Sequence, residues 1–190
     1  MSNHYTDPSG LMRTFYRLIY DPLRAGYLRR LVESLQLDGS ERVLDFGSGP
    51  GSEAYYLARA LDRGGRVTCL DVSAAWLARA RGRLRRFDNV EFVLGEAPEV
   101  GLPPETFDLA LAHYVLHDVD PANLPAAIGA IARALRPGGR FAVVEPVGSH
   151  HGLKAPELRT LMAAHGLTEV DVTPLRPPLG SAYRAVFRRS

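Results

Sequence analysis

One ten-residue stretch, VLDFGSGPGS at residues 43–52, most constrains the fold of this chain. Its short apolar start is typical of a buried strand. The three glycines that follow predict a tight turn whose backbone can approach a bound molecule closely. The next residues have a helical pattern, and the free amides of a helix beginning near Gly51 would favour a negative group on that molecule. We therefore expect a strand, a ligand-binding turn and a helix.

Strand and helix patterns continue to alternate along the chain. We predict seven strands, at 43–46, 67–70, 90–94, 107–112, 140–145, 168–172 and 182–188. We predict core helices at 52–60, 74–86, 123–135 and 156–165, and a turn at Pro137-Gly138-Gly139. This alternation is typical of a mostly parallel sheet with helices on both faces, a three-layer α/β sandwich. The link before the last strand is short and proline-rich, so we expect that strand to be antiparallel.

The N-terminal region differs from this core. Residues 11–37 carry apolar residues at helical spacing, and Pro22 interrupts them, which predicts two helices. We expect residues 1–40 to form a helical lid or cap and residues 41–190 to form the core of one compact domain. Tyr16 and Tyr20 would line the pocket beneath the lid. The alternative for them is plain packing of an amphipathic helix.

Composition excludes several classes of protein. A net charge of +2 is too small to indicate a nucleic-acid partner, and the arginine run at 78–86 has no interleaved aromatic residue to stack on bases. Cys69 is the sole cysteine, so no disulfide can form within the chain. No apolar run is long enough for a membrane span, and the first residues do not resemble a signal peptide. We expect a cytoplasmic protein, either a monomer or a homodimer.

The glycine spacing distinguishes a dinucleotide from other ligands that contain a ribose. A dinucleotide fingerprint reads G-x-G-x-x-G, whereas this chain has Gly47, Gly49 and Gly51, with Ser52 where the third glycine would stand. Asp71 ends the second strand, where a carboxylate can accept both hydroxyls of a ribose. The alternative for the glycine turn is that it binds no ligand. The alternative for Asp71 is that it is an ordinary acidic residue at a helix N-terminus.

Five motifs in order, VLDFGSGPG, CLDVS, GEA, FDLALAHYVLHD and LRPGGRF, carry a resemblance to a known family. From about residue 41 to its end the chain resembles the class I S-adenosylmethionine-dependent methyltransferases. It is most similar to the members that modify quinones, lipid head groups and natural products. The resemblance implies a Rossmann-like fold, S-adenosyl-L-methionine as cofactor, S-adenosyl-L-homocysteine as product, and a small-molecule acceptor. It disfavours nucleic-acid and protein substrates, whose enzymes carry an Asn-Pro-Pro-Tyr type motif after the fourth strand.

The resemblance also implies roles for particular residues. The glycine turn would hold the methionine part of the cofactor, Asp71 its ribose, and three residues its adenine. The implied cofactor-binding residues are Asp45 (ammonium), Gly47, Ser48, Gly49 and Gly51 (methionine chain and turn), Asp71 (ribose), Val72, Glu96 and Ala97 (adenine), Ala112 and His113 (sulfonium), and Tyr20 of the lid.

His113 and His117 are the candidate catalytic residues. They are four apart, so a helical turn would place them on one face, and histidine titrates near neutrality, as a base should. The alternative is that local hydrogen bonds hold each ring. A metal site would need further ligands from Asp118, Glu145, His150 and His151, but a histidine-rich set does not suit magnesium, so we expect no metal. The acceptor atom (oxygen, nitrogen, sulfur or carbon) stays open, and the apolar lid suggests an acceptor with some apolar surface.

Two other functions compete with methyl transfer. An NAD(P)-dependent oxidoreductase can use a similar sheet, but its short-chain form needs a Tyr-x-x-x-Lys pair. The only lysine, Lys154, has His150 four residues before it. A non-catalytic module with a methyltransferase-like fold is the second alternative.

Overall fold

The computed structural model describes residues 21–147, 152–178 and 180–190. Five α-helices and seven strands alternate along these segments, except that no helix separates the third strand from the fourth or the sixth from the seventh. The helices are α1 (Asp21–Glu33), α2 (Ser52–Ala60), α3 (Ala74–Leu84), α4 (Leu124–Ala134) and α5 (Ala155–Ala163). The strands are β1 (Arg42–Phe46), β2 (Arg66–Asp71), β3 (Val90–Leu94), β4 (Phe107–His113), β5 (Leu135–Val147), β6 (Leu167–Leu175) and β7 (Ser181–Arg189).

The strands form one sheet in the order β3-β2-β1-β4-β5-β7-β6. Neighbouring strands from β3 to β5 pair in parallel, and β7 runs antiparallel between β5 and β6. The predicted architecture is confirmed, including the antiparallel last strand. After β1 the chain moves outward to β3 and then returns to the other side of β1, so the strand order reverses between β1 and β4. Ligands of open α/β sheets bind at the carboxyl edge of such a reversal.

The hydrophobic core lies on both faces of the sheet. One face packs side chains of α2 and α3 against β1 and β2, for example Leu57 and Leu77. The other face packs side chains of α4 and α5 against β4, β5 and β7, for example Ile128 and Met162. Strands buried on both faces consist mainly of apolar residues, which explains the runs recognised in the sequence. None of the helices in the described segments combines the length and apolar character that membrane crossing requires.

Two local predictions can be compared with the structure. Pro22 lies in the first turn of α1, where a proline without an N–H is tolerated, so the second predicted N-terminal helix begins at the predicted interruption. The first of the two predicted N-terminal helices falls outside the described residues. The predicted turn at residues 137–139 lies inside β5, because the strand pairs with β4 on both sides of it. Leu135 pairs with Phe107 and Arg140 pairs with Leu109, so the residues between them bulge out of the ladder.

Truncating a buried side chain of β7 should lower the free energy of unfolding strongly. Phe187 is fully buried between β5 and β6, so Phe187→Ala should lower the free energy of unfolding by about 3–5 kcal/mol. The measurement is urea denaturation. Val170→Ala on the edge strand is the control, because Val170 is 54% exposed and its loss should cost within about 0.5 kcal/mol. Equal effects of the two substitutions would contradict the packing described.

Candidate functional site

A cavity of about 510 Å³ opens at the carboxyl edge of the sheet, beside the strand-order reversal. The loops after β1, β2, β3 and β4 form its walls, and α1 contributes Arg24. Its volume lies within the range of roughly 300–1,000 Å³ that is typical of small-molecule sites. Of the implied site residues, those that line the cavity are Gly47, Ser48, Gly49, Asp71, Val72, Glu96, Ala97, His113 and His117.

The loop after β1 is held against the end of β2 by three backbone amides. Gly47 N and Ser48 N donate to Leu70 O at 2.8 and 3.1 Å, and Gly49 N donates to Asp71 Oδ2 at 2.7 Å. Gly47 has a φ of 69°, and a Cβ there would lie 2.2 Å from Val115 Cγ2. Only glycine fits this position, because the loop after β4 approaches it so closely.

Asp71 presents its carboxylate to the cavity from the end of β2. Its Oδ1 accepts a hydrogen bond from Ser73 N at 2.8 Å, and Ser73 Oγ caps α3 by accepting from Trp76 N. The side-chain cap of that helix is therefore Ser73 and not Asp71. Burial raises the pKa of Asp71 despite its backbone hydrogen bonds. A carboxylate has about four acceptor positions, and the backbone amides do not occupy all of them, so acceptor capacity stays available for a ribose hydroxyl.

Asp45 lies behind the loop, buried at the end of β1, and does not line the cavity. Its Oδ2 has no hydrogen-bond partner among the described residues. Burial, followed by the charges of Glu53 and Asp71, raises the pKa of Asp45 well above its ordinary value. A buried carboxyl oxygen without a donor is costly unless something supplies one. The ammonium group implied by the family resemblance, or a water that it binds, would be such a donor.

The remaining implied cofactor residues fall into three groups. Val72, Glu96 and Ala97 line one wall, and Val72 is 53% exposed there, an apolar side chain open to an adenine. Gly51 packs against Ala80 and Leu84 of α3, and Ala112 is fully buried in β4, so neither lines the cavity. Tyr16 and Tyr20 lie outside the described residues.

His113 belongs to a buried network that joins α1 to the site. Its Nδ1 lies 2.8 Å from Glu53 Oε1, and its Nε2 lies 3.2 Å from Tyr27 Oη. Arg24 Nη2 lies 3.4 Å from Glu53 Oε1 and 3.2 Å from both ring nitrogens. Burial lowers the pKa of His113, which favours the neutral ring. Burial disfavours the charge on Glu53, but His113 and Arg24 outweigh it and lower the pKa of Glu53 to about 2.

His117 has a different acidic partner. Its Nδ1 lies 2.8 Å from Glu145 Oε2, and Glu145, near the end of β5, is completely buried. Burial lowers the pKa of His117, but the hydrogen bond and charge of Glu145 outweigh this, so the pKa is raised above its ordinary value of 6.5. The prediction that His113 and His117 share a helical face is wrong. His113 ends β4, Tyr114 has a left-handed φ of 56°, and His117 lies in the short 3-10 helix Leu116–Asp118.

Sequence reasoning missed the partners of both histidines. Arg24, Tyr27 and Glu53 were not recognised, and Glu145 was considered only as a metal ligand. Glu145 carries a usable signal, because it lies in the apolar strand VVEP at the same sheet edge as Asp45 and Asp71. In the described segments no group of three or more His, Cys, Asp and Glu side chains is arranged to hold a metal ion. His150 and His151 lie outside those segments.

Comparison with known proteins identifies the family. A family model described as "Methyltransferase domain" matches residues 43–139, from β1 to the bulge of β5. The chain belongs to this family. The prediction of a methyltransferase that uses S-adenosyl-L-methionine is thereby confirmed.

Individual relatives agree with this assignment. A 2-phytyl-1,4-naphtoquinone methyltransferase of Thermosynechococcus vestitus is 37% identical over 114 residues, 60% of this chain and 50% of that protein. The ubiquinone/menaquinone biosynthesis C-methyltransferase UbiE of Cellvibrio japonicus is 32% identical over 146 residues, 73% of this chain and 57% of that protein. The chain thus spans about half the length of these curated relatives.

A solved structure shows the same fold. It is the N-methyltransferase NodS of Bradyrhizobium japonicum WM9 in complex with S-adenosyl-L-homocysteine. The TM-score is 0.72 at 22% identity, with 92% of this chain and 91% of that chain covered.

The methyltransferase's buried Asp45 predicts a pH-dependent change in stability. Its pKa in the folded chain lies above the ordinary value of 3.8, so folding becomes less favourable as pH rises from that value through the folded-state pKa. Asp45→Asn removes the titrating group and therefore this loss. The free energy of unfolding of the variant, relative to that of the wild type, should therefore increase as pH rises. Urea denaturation at pH 4.5 and pH 7.5 measures the difference. Asp88→Asn, which changes an exposed carboxylate, is the control. The prediction would be refuted if the free energy of unfolding of Asp45→Asn, relative to the wild type, were smaller at pH 7.5 than at pH 4.5.

Proposed function

We propose that this protein transfers a methyl group from S-adenosyl-L-methionine to a small-molecule acceptor that has some apolar surface. One observation carries the proposal. The Asp71 carboxylate and the Gly47–Gly49 loop are joined by a hydrogen bond and face the same cavity. This geometry supports ribose binding at Asp71 and binding of the methionine chain along the loop, the roles that the family resemblance implies.

The charge of the cavity supports this cofactor over a dinucleotide. Glu53, Asp71 and Glu96 contribute carboxylates to the walls, and Arg24 is the one guanidinium among the described lining residues. S-adenosylmethionine brings a sulfonium and an ammonium, which such a surface attracts, together with a carboxylate. A pyrophosphate would bring two negative charges next to these carboxylates. Electrostatics therefore agrees with the glycine spacing in opposing the NAD(P) alternative.

The lining of the cavity supports an acceptor with an apolar ring or chain. Apolar side chains from α3, the loop after β4 and α4 surround the space, among them Trp76, Val115, Val119 and Ala127. Two relatives are named as quinone-pathway methyltransferases. We therefore propose a bicyclic or monocyclic aromatic compound of comparable size as the acceptor, and no nucleic acid.

The setting of the reaction is also a proposal. Cys69 is a buried free thiol, as expected of a protein in a reducing compartment, and we propose that the enzyme acts in the cytoplasm. Arg24 and Tyr27 of α1 contact His113 at the site, which supports the N-terminal region as its lid. A monomer and a homodimer both satisfy these contacts.

Ligand binding separates the three candidate functions. S-adenosylhomocysteine should raise the melting temperature, while NAD and NADP should leave it unchanged. A tritium-labelled methyl group should then move from S-adenosylmethionine to an acceptor in a panel of phenols, hydroquinones, amines and thiols. A rise in melting temperature with NAD alone would support the oxidoreductase. Binding of S-adenosylhomocysteine with no transfer to any acceptor would support the non-catalytic module.

Asp71→Ala tests the ribose role directly. The variant should bind S-adenosylhomocysteine more weakly by about 1.5–3 kcal/mol, the usual value of a hydrogen bond to a charged group, as measured by isothermal titration calorimetry. Asp88→Ala removes an exposed carboxylate from the loop before β3 and should leave the affinity unchanged. Unaltered affinity in Asp71→Ala would refute the role.

A further inference from the structure

The two histidines at the site differ in what their ring nitrogens can still do. Both nitrogens of His113 are within hydrogen-bond distance of Glu53, Tyr27 or Arg24. His117 has one strong partner, Glu145, at Nδ1, and its Nε2 lies 3.8 Å from Asp118 Oδ1, beyond hydrogen-bond range. His117 also lines the cavity, next to Asp118 and Val119. Of the two, His117 therefore combines an oriented ring in the cavity wall with a second nitrogen that can accept a proton.

Glu145 fixes the tautomer of His117. Its Oε2 can only accept from Nδ1, so Nδ1 carries the hydrogen in the neutral ring and Nε2 carries the lone pair. Its Oε1 accepts a hydrogen bond from Leu116 N at 3.2 Å, which holds the carboxylate against the 3-10 helix. The carboxylate has no exposure to solvent, so its orientation is set by these contacts.

We propose that His117 is the general base of the methyl transfer, that Glu145 is its positioning residue, and that the acceptor is a weakly acidic hydroxyl compound of the phenol or hydroquinone class. This inference rests on the proposed function and names its acceptor. As the acceptor oxygen, or the ring carbon it activates, bonds to the methyl carbon, the carbon–sulfur bond breaks and its electron pair stays on sulfur. After attack by ring carbon, that carbon loses its C–H proton to solvent and the oxygen regains a proton, which restores the aromatic ring. The hydroxyl proton moves to Nε2 of His117. The imidazolium later releases this proton to solvent.

The charges around His117 explain why the hydroxyl would lose its proton inside the site. Glu145 faces the ring from β5, and Asp118 and Asp120 follow in the same loop and line the cavity. Three carboxylates disfavour the entry of an acceptor that is already an anion, so a neutral hydroxyl enters and is deprotonated in place. A thiol ionises readily in water, and an amine can bind as its free base, so neither acceptor needs His117 and Glu145 to remove a proton.

The pH dependence follows from the groups that face the ring. Those groups are Glu145 from β5 and Asp118 from the same turn, while His113 of β4 and Tyr183 of β7 interact with Glu145 from the other side. Because Glu145 outweighs burial and raises the pKa of His117, the wild type should become active as pH rises past a value above 6.5. Removing the charge of Glu145 should move this rise to lower pH and reduce turnover at the same time.

Three variants test the inference: His117→Asn, Glu145→Gln, and His165→Asn as the control. His165 packs on Gly129, away from the cavity, and should behave as the wild type. Each variant is first titrated with S-adenosylhomocysteine, and affinity within threefold of the wild type shows an intact site. On phenol or 1,4-naphthohydroquinone, His117→Asn should lower kcat by about 100-fold or more, in the range of general-base catalysis. 4-Nitrophenol above pH 8 is ionised and should enter both enzymes poorly, but because it needs no base, the ratio of wild-type to variant kcat should be under about 10.

Glu145→Gln tests the positioning role by two readouts. Its kcat on phenol should fall about 10-fold with little change in KM, and the pH at which activity rises should decrease. NMR titration of the His117 ring requires no acceptor: the pKa of His117 should lie above 6.5 in the wild type and lower in Glu145→Gln. Mass spectrometry of the product distinguishes methylation at oxygen from methylation at ring carbon, and either agrees with the inference.

The outcomes separate this inference from the proposed function. Methylation of amines or thiols only, or equal activity of wild type and His117→Asn on phenol, would overturn the inference and leave methyl transfer intact. An unchanged pKa of His117 in Glu145→Gln would overturn the positioning role. Failure to methylate any panel member, with S-adenosylhomocysteine bound, would overturn the proposed function itself.

Discussion

The site depends on the attachment of the loop after β1 to the end of β2. Three backbone amides of that loop donate to the last two residues of β2, and the shortest of these bonds ends on the Asp71 carboxylate. Parallel pairing of β1 with β2 brings the two strand ends together, so the bonds follow from the register of the sheet. The loop and the carboxylate therefore form one rigid surface, and a ligand that binds the loop also meets Asp71.

A second close approach sets the distance between the cofactor side and the acceptor side of the cavity. Val115, in the loop after β4, occupies the space that a side chain at position 47 would need. The absence of a side chain at Gly47 lets the loop after β4 lie directly against the loop after β1. His117 follows Val115 by two residues, so its place in the cavity depends on the same contact. A larger residue at position 47 would separate the two halves of the site as well as disturb the turn.

The sheet and the meeting of the glycine loop with Asp71 could be predicted from the sequence, because both depend on local patterns. Apolar runs mark buried strands, and Asp45 and Asp71 stand at strand ends, which meet at one edge of any parallel sheet. The interior of β5 was not predictable in the same way, since proline and glycines look like a turn until β4 supplies partners on both sides of them. The partners of the histidines were missed because they are distant in sequence. Glu53 lies 60 positions from His113, and no periodicity connects them.

The contrast between His113 and His117 shows how the same residue type acquires different chemistry from its surroundings. Each ring lies 2.8 Å from a buried carboxylate, so this distance alone does not distinguish them. Burial decides the difference, because it lowers the pKa of His113 despite the nearby Glu53, and the Arg24 guanidinium against the ring acts in the same direction. An added proton on His113 would be repelled by this cation, and its Nε2 already faces Tyr27. Glu145 makes its close side-chain contact with His117, and there its hydrogen bond and charge outweigh burial and raise the pKa of the ring. The proposed proton transfer is therefore assigned to His117, whereas the contacts of His113 join α1 to the site.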